Sequence, residues 1–225
     1  MDYLVAAIGD WNKEKFDKVK DSLPGNWLYA SSPKELNAIL ETGFSPRYIF
    51  FPHWRWIVPT EMLDEYECVC FHMTDVPYGR GGSPLQNLIV RGHKDTVLTA
   101  LRMVDELDAG PVYLKKPLSL QGSAEEIYNR SSTLIWSMIE DIITNNVVPS
   151  AQEGEVTLFK RRTPEQSYLP NDLNLEQVYD FIRMLDAPGY PKAFIETERY
   201  RLEFDQAQSE NENLFARVKI TLKEK

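Results

Sequence analysis

The sequence predicts an α/β fold, a Rossmann-like and mostly parallel sheet domain with a small C-terminal β module. Three observations predict it. Short apolar runs of strand length alternate with helix-length amphipathic stretches through residue 147. The runs are compact and apolar, as in strands covered on both faces of a parallel sheet. Beyond a polar, proline-containing stretch (147–172) and one further helix, the chain becomes β-like to its end. The expected division is therefore 1–147 for the sheet domain and 148–225 for linker, helix and β module.

The elements follow in order. Tyr3 to Gly9 reads as a strand ended by Gly-Asp, and Asn12 to Leu23 as a helix carrying Phe16, Val19 and Leu23 among charged residues. The pattern repeats as strand (Asn26 to Ala30), helix (Pro33 to Glu41, with proline in its first turn), strand (Tyr48 to Phe51), helix (Pro59 to Tyr66) and strand (Cys68 to Met73). A Gly- and Pro-rich loop from Pro77 to Pro84 leads to a short helix, Leu85 to Arg91. Strands at Thr96 to Val104 and Val112 to Leu114 precede the long amphipathic helix Ala124 to Asn145, expected to close the first domain. The tail holds a helix from Leu175 to Leu185 and a β-like ending from Ala193 to Leu222, with the polar stretch Gln206 to Asn213 as its hairpin connection.

Composition narrows the function classes. Of 225 residues 43% are apolar and 26% charged, an ordinary globular balance, and the formal net charge is −9. A charge of that sign works against a broad phosphate-neutralising surface, so no nucleic-acid partner is expected. No run approaches the roughly 18 uninterrupted apolar residues of a membrane span, and a cytoplasmic protein is expected. Cys68 and Cys70 stand two apart in an apolar run, where strand geometry holds both on one face; that spacing suits neither a disulfide nor, without a second pair, a zinc site.

Among three histidines, His72 stands out at the predicted end of a central strand, just before the chain leaves the sheet. Asp108 follows the next long strand, and neighbouring strand ends are expected to bring the two together. A carboxylate beside an imidazole fixes its tautomer and favours its protonated form, as general acid/base chemistry needs. His53 in PHWRW suits packing better than a ligand contact. His93 reads as a solvated turn residue, Lys160-Arg161-Arg162 as a solvated basic face, and Asn129-Arg130-Ser131 as a chance sequon on a helix.

His72, Pro77, Arg80-Gly81 and Ser83-Pro84, followed by GHKDTVLTALRMVDELDAGPVY, resemble two spaced motifs of the folate-dependent formyltransferases. That family includes methionyl-tRNA formyltransferase and the bacterial sugar N-formyltransferases. RWIVPTEMLDEY resembles the segment flanking its folate pocket, and the tail KRRTPEQS with LEQVYDFIRMLDAPGYPKAF is similar to that of the sugar-directed members. The resemblance implies 10-formyltetrahydrofolate as co-substrate, His72, Asp108 and Cys70 as catalytic residues, and a folate site lined by Trp56, Ile57 and Val58 with Val104, Asp105, Glu106 and Leu107. Core packing remains the alternative for Trp56 to Val58, and Arg80 is expected to hold the loop rather than substrate. Cys70 stands where the family has an asparagine thought to donate to the formyl oxygen, and Thr74, Gln86 and Asn87 are the candidate substitutes. The acceptor expected from the tail is a nucleotide-linked amino sugar, UDP- or dTDP-bound, with a second copy of the chain as a candidate partner. Methionyl-tRNA formyltransferase and an inactive folate- or nucleotide-binding protein are the alternatives.

Overall fold

Every residue of β1 (Asp2–Ala6) after the first is buried, because the strand lies inside a sheet covered on both faces. The computed structural model describes residues 1–223, and the chain forms two units. The first comprises Met1–Arg80, Val97–Leu118 and Asn129–Leu158; the second comprises Gly81–Thr96, Ser119–Tyr128 and the chain from Phe159 onward.

In the first unit, α1 (Asp10–Val19), β2 (Asn26–Ala30), α2 (Pro33–Glu41), β3 (Tyr48–Phe51), α3 (Thr60–Glu65) and β4 (Cys68–His72) alternate as expected. A short β5 (Arg80–Gly81) and α4 (Pro84–Val90) follow, then β6 (Asp95–Arg102), β7 (Val112–Ser119) and α5 (Ala124–Asn145). The main sheet has the order β2-β1-β3-β4-β6-β7. β1 pairs in parallel with β2 and β3, and β3 with β4, with Phe51 opposite Cys70. β6 instead runs antiparallel to β4, with His72 opposite Thr99 and Val69 opposite Arg102.

Because side chains alternate along strands, the two faces carry different cores. Leu4, Ala6, Ala30, Ile49, Phe51 and Cys68 form one with Leu36 and Val58. The other is aromatic: Tyr3 stacks on Trp27 with centroids 4.5 Å apart, and Trp136 of α5 lies edge-on to Trp27. α2 starts where the sequence places it. Ser32 accepts from the Glu35 amide at 3.3 Å, the Glu35 carboxylate accepts from the Ser31 amide at 2.7 Å, and Pro33 fills the first turn.

The short β8 (Leu158–Phe159) pairs with β5, and the second unit holds α4, α6 (Leu175–Arg183) and an antiparallel sheet of β9 (Ala193–Glu196), β10 (Tyr200–Glu210) and β11 (Asn213–Leu222). The buried Arg183 donates to Leu120 O and Gly122 O and pairs with Asp180 at 2.7 Å. The hairpin connection is shorter than the expected Gln206 to Asn213. It is the two-residue turn Asn211-Glu212, both left-handed, while Gln206 sits in a register shift that lets β10 continue as a strand. Among the described residues no helix is long and apolar enough to cross a membrane.

Candidate active site

β4 delivers His72 to the edge of the loop 73–80, and that loop is tied down at several points. Thr99 Oγ1 donates to Thr74 O at 2.7 Å, and Lys115 Nζ reaches the Asp75 carboxylate and Val76 O. Thr157 bonds the main chain of Pro77, Gly79 and Arg80. Gly79 O then meets His72 Nε2 at 2.8 Å. A carbonyl only accepts, so Nε2 carries a hydrogen, and Nδ1 is left facing the Asp108 carboxylate at 3.6 Å. The pair is nearly buried, with side-chain exposures of 9% for His72 and 11% for Asp108.

Asp108 arrives by a different route from the one strand ends suggest. β6 is antiparallel to β4, so its carboxyl end lies beside Val69, at the far end from His72. Met103 N bonds Cys68 O, and Arg102 N bonds Pro111 O, which closes the 103–110 segment into a loop that turns back toward His72. Asp108 itself is left-handed, φ 54°, an uncommon conformation for a residue with a Cβ. Gly110 is needed at the neck, since a Cβ there would stand 1.8 Å from Arg102 O.

Cys70 is partly buried on the same face of β4 as His72. Burial, and next the negative Asp108, push its thiol well above the ordinary range, so it stays protonated and is no thiolate nucleophile. The expected substitute donors are committed elsewhere. Thr74 Oγ1 donates to Gly79 O at 3.3 Å. In the second unit, Gln86 Nε2 bonds Tyr128 Oη and Met184 O, and Asn87 Nδ2 bonds Gly82 O, Ser83 O and Lys160 O.

The segments expected to hold folate lie together, joined by a 2.8 Å hydrogen bond from Thr60 Oγ1 to Asp105 Oδ1. Val58 belongs to the core, Trp56 is half-buried against Trp54, and Ile57 and Leu107 are 94% and 67% exposed. Val104 and Asp105 are also exposed, and Glu106 pairs with Arg80 at 3.0 Å. The remaining Arg80 nitrogens Nε and Nη2 meet Gln152 Oε1 at 3.1 and 2.9 Å, so this guanidinium is spent on protein groups. Gln152 was not among the candidates, because a glutamine in a polar linker-like stretch carries no pattern. No group of metal-ligating side chains occurs among the described residues.

Comparison with known proteins gives a family. Residues 164–221 match the family model described as the methionyl-tRNA formyltransferase C-terminal domain. A solved structure named methionyl-tRNA formyltransferase, from Clostridium thermocellum, is 44% identical, with a TM-score of 0.96 over 99% of this chain and 100% of that one. Methionyl-tRNA formyltransferase of Ehrlichia ruminantium is 29% identical over 80% of this chain and 61% of its own length, so the chain spans about three fifths of that curated relative. A 4-N formyltransferase structure from Francisella tularensis is 15% identical, TM-score 0.68, over 88% of this chain and 93% of that one, a likeness of fold alone. This order overturns the expected nucleotide-linked amino sugar acceptor, and with it the expected absence of a nucleic-acid partner. Net charge is a sum over the whole surface and does not decide what a local face recognises. With its 44% identity over full length, the chain belongs to the formyltransferase family that includes the methionyl-tRNA formyltransferases.

Proposed function

We propose that the protein transfers the formyl group of 10-formyltetrahydrofolate to the amino group of methionine carried on tRNA. The carrying observation is the buried His72–Asp108 pair, 3.6 Å apart, within a chain 44% identical over its length to a protein named for that activity. Formyltransferases of this family use 10-formyltetrahydrofolate as formyl donor. The exposed apolar side chains of Ile57, Val104 and Leu107, beside the main chain of the joined segments, suit a flat, partly apolar ring system. When bound, the folate supplies an activated formyl carbon and a nitrogen leaving group.

The chain's own groups then handle the proton. A neutral amine that attacks a formyl carbon gains positive charge on nitrogen, while the formyl oxygen gains negative charge. The His72–Asp108 pair accepts the amine proton as a unit and returns it to the folate nitrogen as the bond from that nitrogen to the formyl carbon breaks; the carboxylate stabilises the imidazolium meanwhile, and Gly79 O holds Nε2 so that the ring does not turn. The near-burial of both strengthens their coupling. Cys70, a weak donor, leaves the developing oxygen charge only modestly stabilised from this strand.

The deciding experiment incubates the protein with 10-formyltetrahydrofolate and methionyl-tRNA and follows formylmethionine by mass spectrometry. Formylmethionyl-tRNA is expected, and its formation should cease in His72→Ala. Absence of transfer from the wild type under conditions where a known formyltransferase is active would overturn the proposal.

A further inference from the structure

We infer that Gln152 is the residue that positions Asp108 against His72. The inference rests on the reading of that pair as the proton-handling centre. Ser150 exchanges both main-chain hydrogen bonds with Val112, at 2.7 and 2.9 Å, which seats the 150–152 segment beside the neck of the Asp108 loop. From there Gln152 Nε2 donates to Asp108 O and to Gly110 O, both at 2.8 Å. Its Oε1 accepts twice from Arg80. The primary amide thus uses both hydrogens and its carbonyl oxygen in the same place.

The connections close into a ring. His72 Nε2 is fixed by Gly79 O, the next residue is Arg80, Arg80 holds Gln152, Gln152 holds the Asp108 main chain, and the Asp108 carboxylate returns to His72 Nδ1. One side chain therefore sets both halves of the pair. Asp108 needs such a hold, since its left-handed backbone is unfavourable without support from its surroundings. Turning the carbonyls of residues 108 and 110 toward a single NH2 group fixes the direction in which the Asp108 side chain leaves the loop. The chemistry singles out glutamine. Glutamate could still accept from Arg80 but would set a carboxylate oxygen against two carbonyl oxygens, and asparagine falls one methylene short.

The test uses the full-length protein with Gln152→Glu and Gln152→Leu. With only three histidines in the chain, imidazole 1H–15N correlations are assignable by single substitution. In both variants the His72 ring signals should move while those of His53 and His93 stay. In the formyl-transfer assay kcat should fall about 10- to 100-fold with the donor KM unchanged, the scale of a small misplacement of a catalytic group. In an Asp108→Asn background the same substitutions should cost almost nothing more, because they act through Asp108. Unmoved His72 signals, signals that move equally for all three histidines, or a full additional loss in the Asp108→Asn background would each overturn the inference. If the wild type transfers no formyl group, the functional reading falls, and the ring signals alone still decide whether Gln152 positions the pair.

Discussion

His53 follows β3 and His72 ends β4, on neighbouring parallel strands, yet the same imidazole is put to different uses. Around His53, Asn12 Nδ2 and Ser131 Oγ each lie 3.4 Å from a ring nitrogen, and the Trp11 ring is edge-on. Burial there pushes its pKa down to about 4, so the ring is neutral at ordinary pH. His72 is also held out of solvent but has a carboxylate on one side and a carbonyl on the other. One ring is packed among neighbouring side chains; the other faces a carboxylate 3.6 Å away, the arrangement that general acid/base chemistry uses.

The strongest way to break this contrast is to remove the charge. His72→Ala or Asp108→Asn should lower formyl-transfer turnover by about 10²- to 10⁴-fold, the usual contribution of a general acid/base group, while the melting temperature changes little. Near-normal turnover in either variant would put the chemistry elsewhere.

A smaller effect is expected one position back along the same strand face. Cys70→Asn should raise turnover by up to about 10²-fold, since an amide donor can serve the formyl oxygen where a protonated thiol serves it poorly. Cys70→Ala should lower the rate only slightly, since a thiol is a weak donor. A large loss in Cys70→Ala would show that the thiol is the main donor to the formyl oxygen.

The smallest effect concerns His53 and stability. Its folded pKa of about 4 lies below the unfolded value near 6.5, so between these the unfolded chain binds the extra proton. Stability is full above about pH 6.5 and is lost as pH falls toward 4, by at most about 3 kcal/mol. His53→Asn tolerates the left-handed backbone at φ 50° and should flatten this part of the pH profile in chemical denaturation. An unchanged slope in the variant would assign the acid lability to other groups.

Much of the fold was legible because strands buried on both faces write themselves as apolar runs. Tyr48 to Phe51 is buried at all four positions. Strand direction leaves no such trace, since an apolar run reads the same in either orientation. Asp108 was therefore paired with His72 through neighbouring strand ends, whereas the antiparallel β6 carries the chain away and a loop necked at Gly110 brings it back. The polar half of β10 has the composition of a turn, and only the irregular register at Gln206 shows how it remains paired. The expected acceptor rested on the tail's likeness to the sugar-directed members and on a net charge of −9, which says nothing about where the positive residues sit.

The division of the chain into units bears on how the protein is made. The polypeptide leaves one unit for the other after residues 80, 96, 118, 128 and 158, so no single cut yields either unit as a continuous piece. On the ribosome, β1 to β4 emerge long before the stretch 129–158 that completes their unit. His72 and Asp108 are thus synthesised into an unfinished structure, and Gln152, the side chain that links their two loops, comes out only near the end of that stretch. A nascent chain stalled before residue 152 carries both members of the pair and lacks the clamp between them.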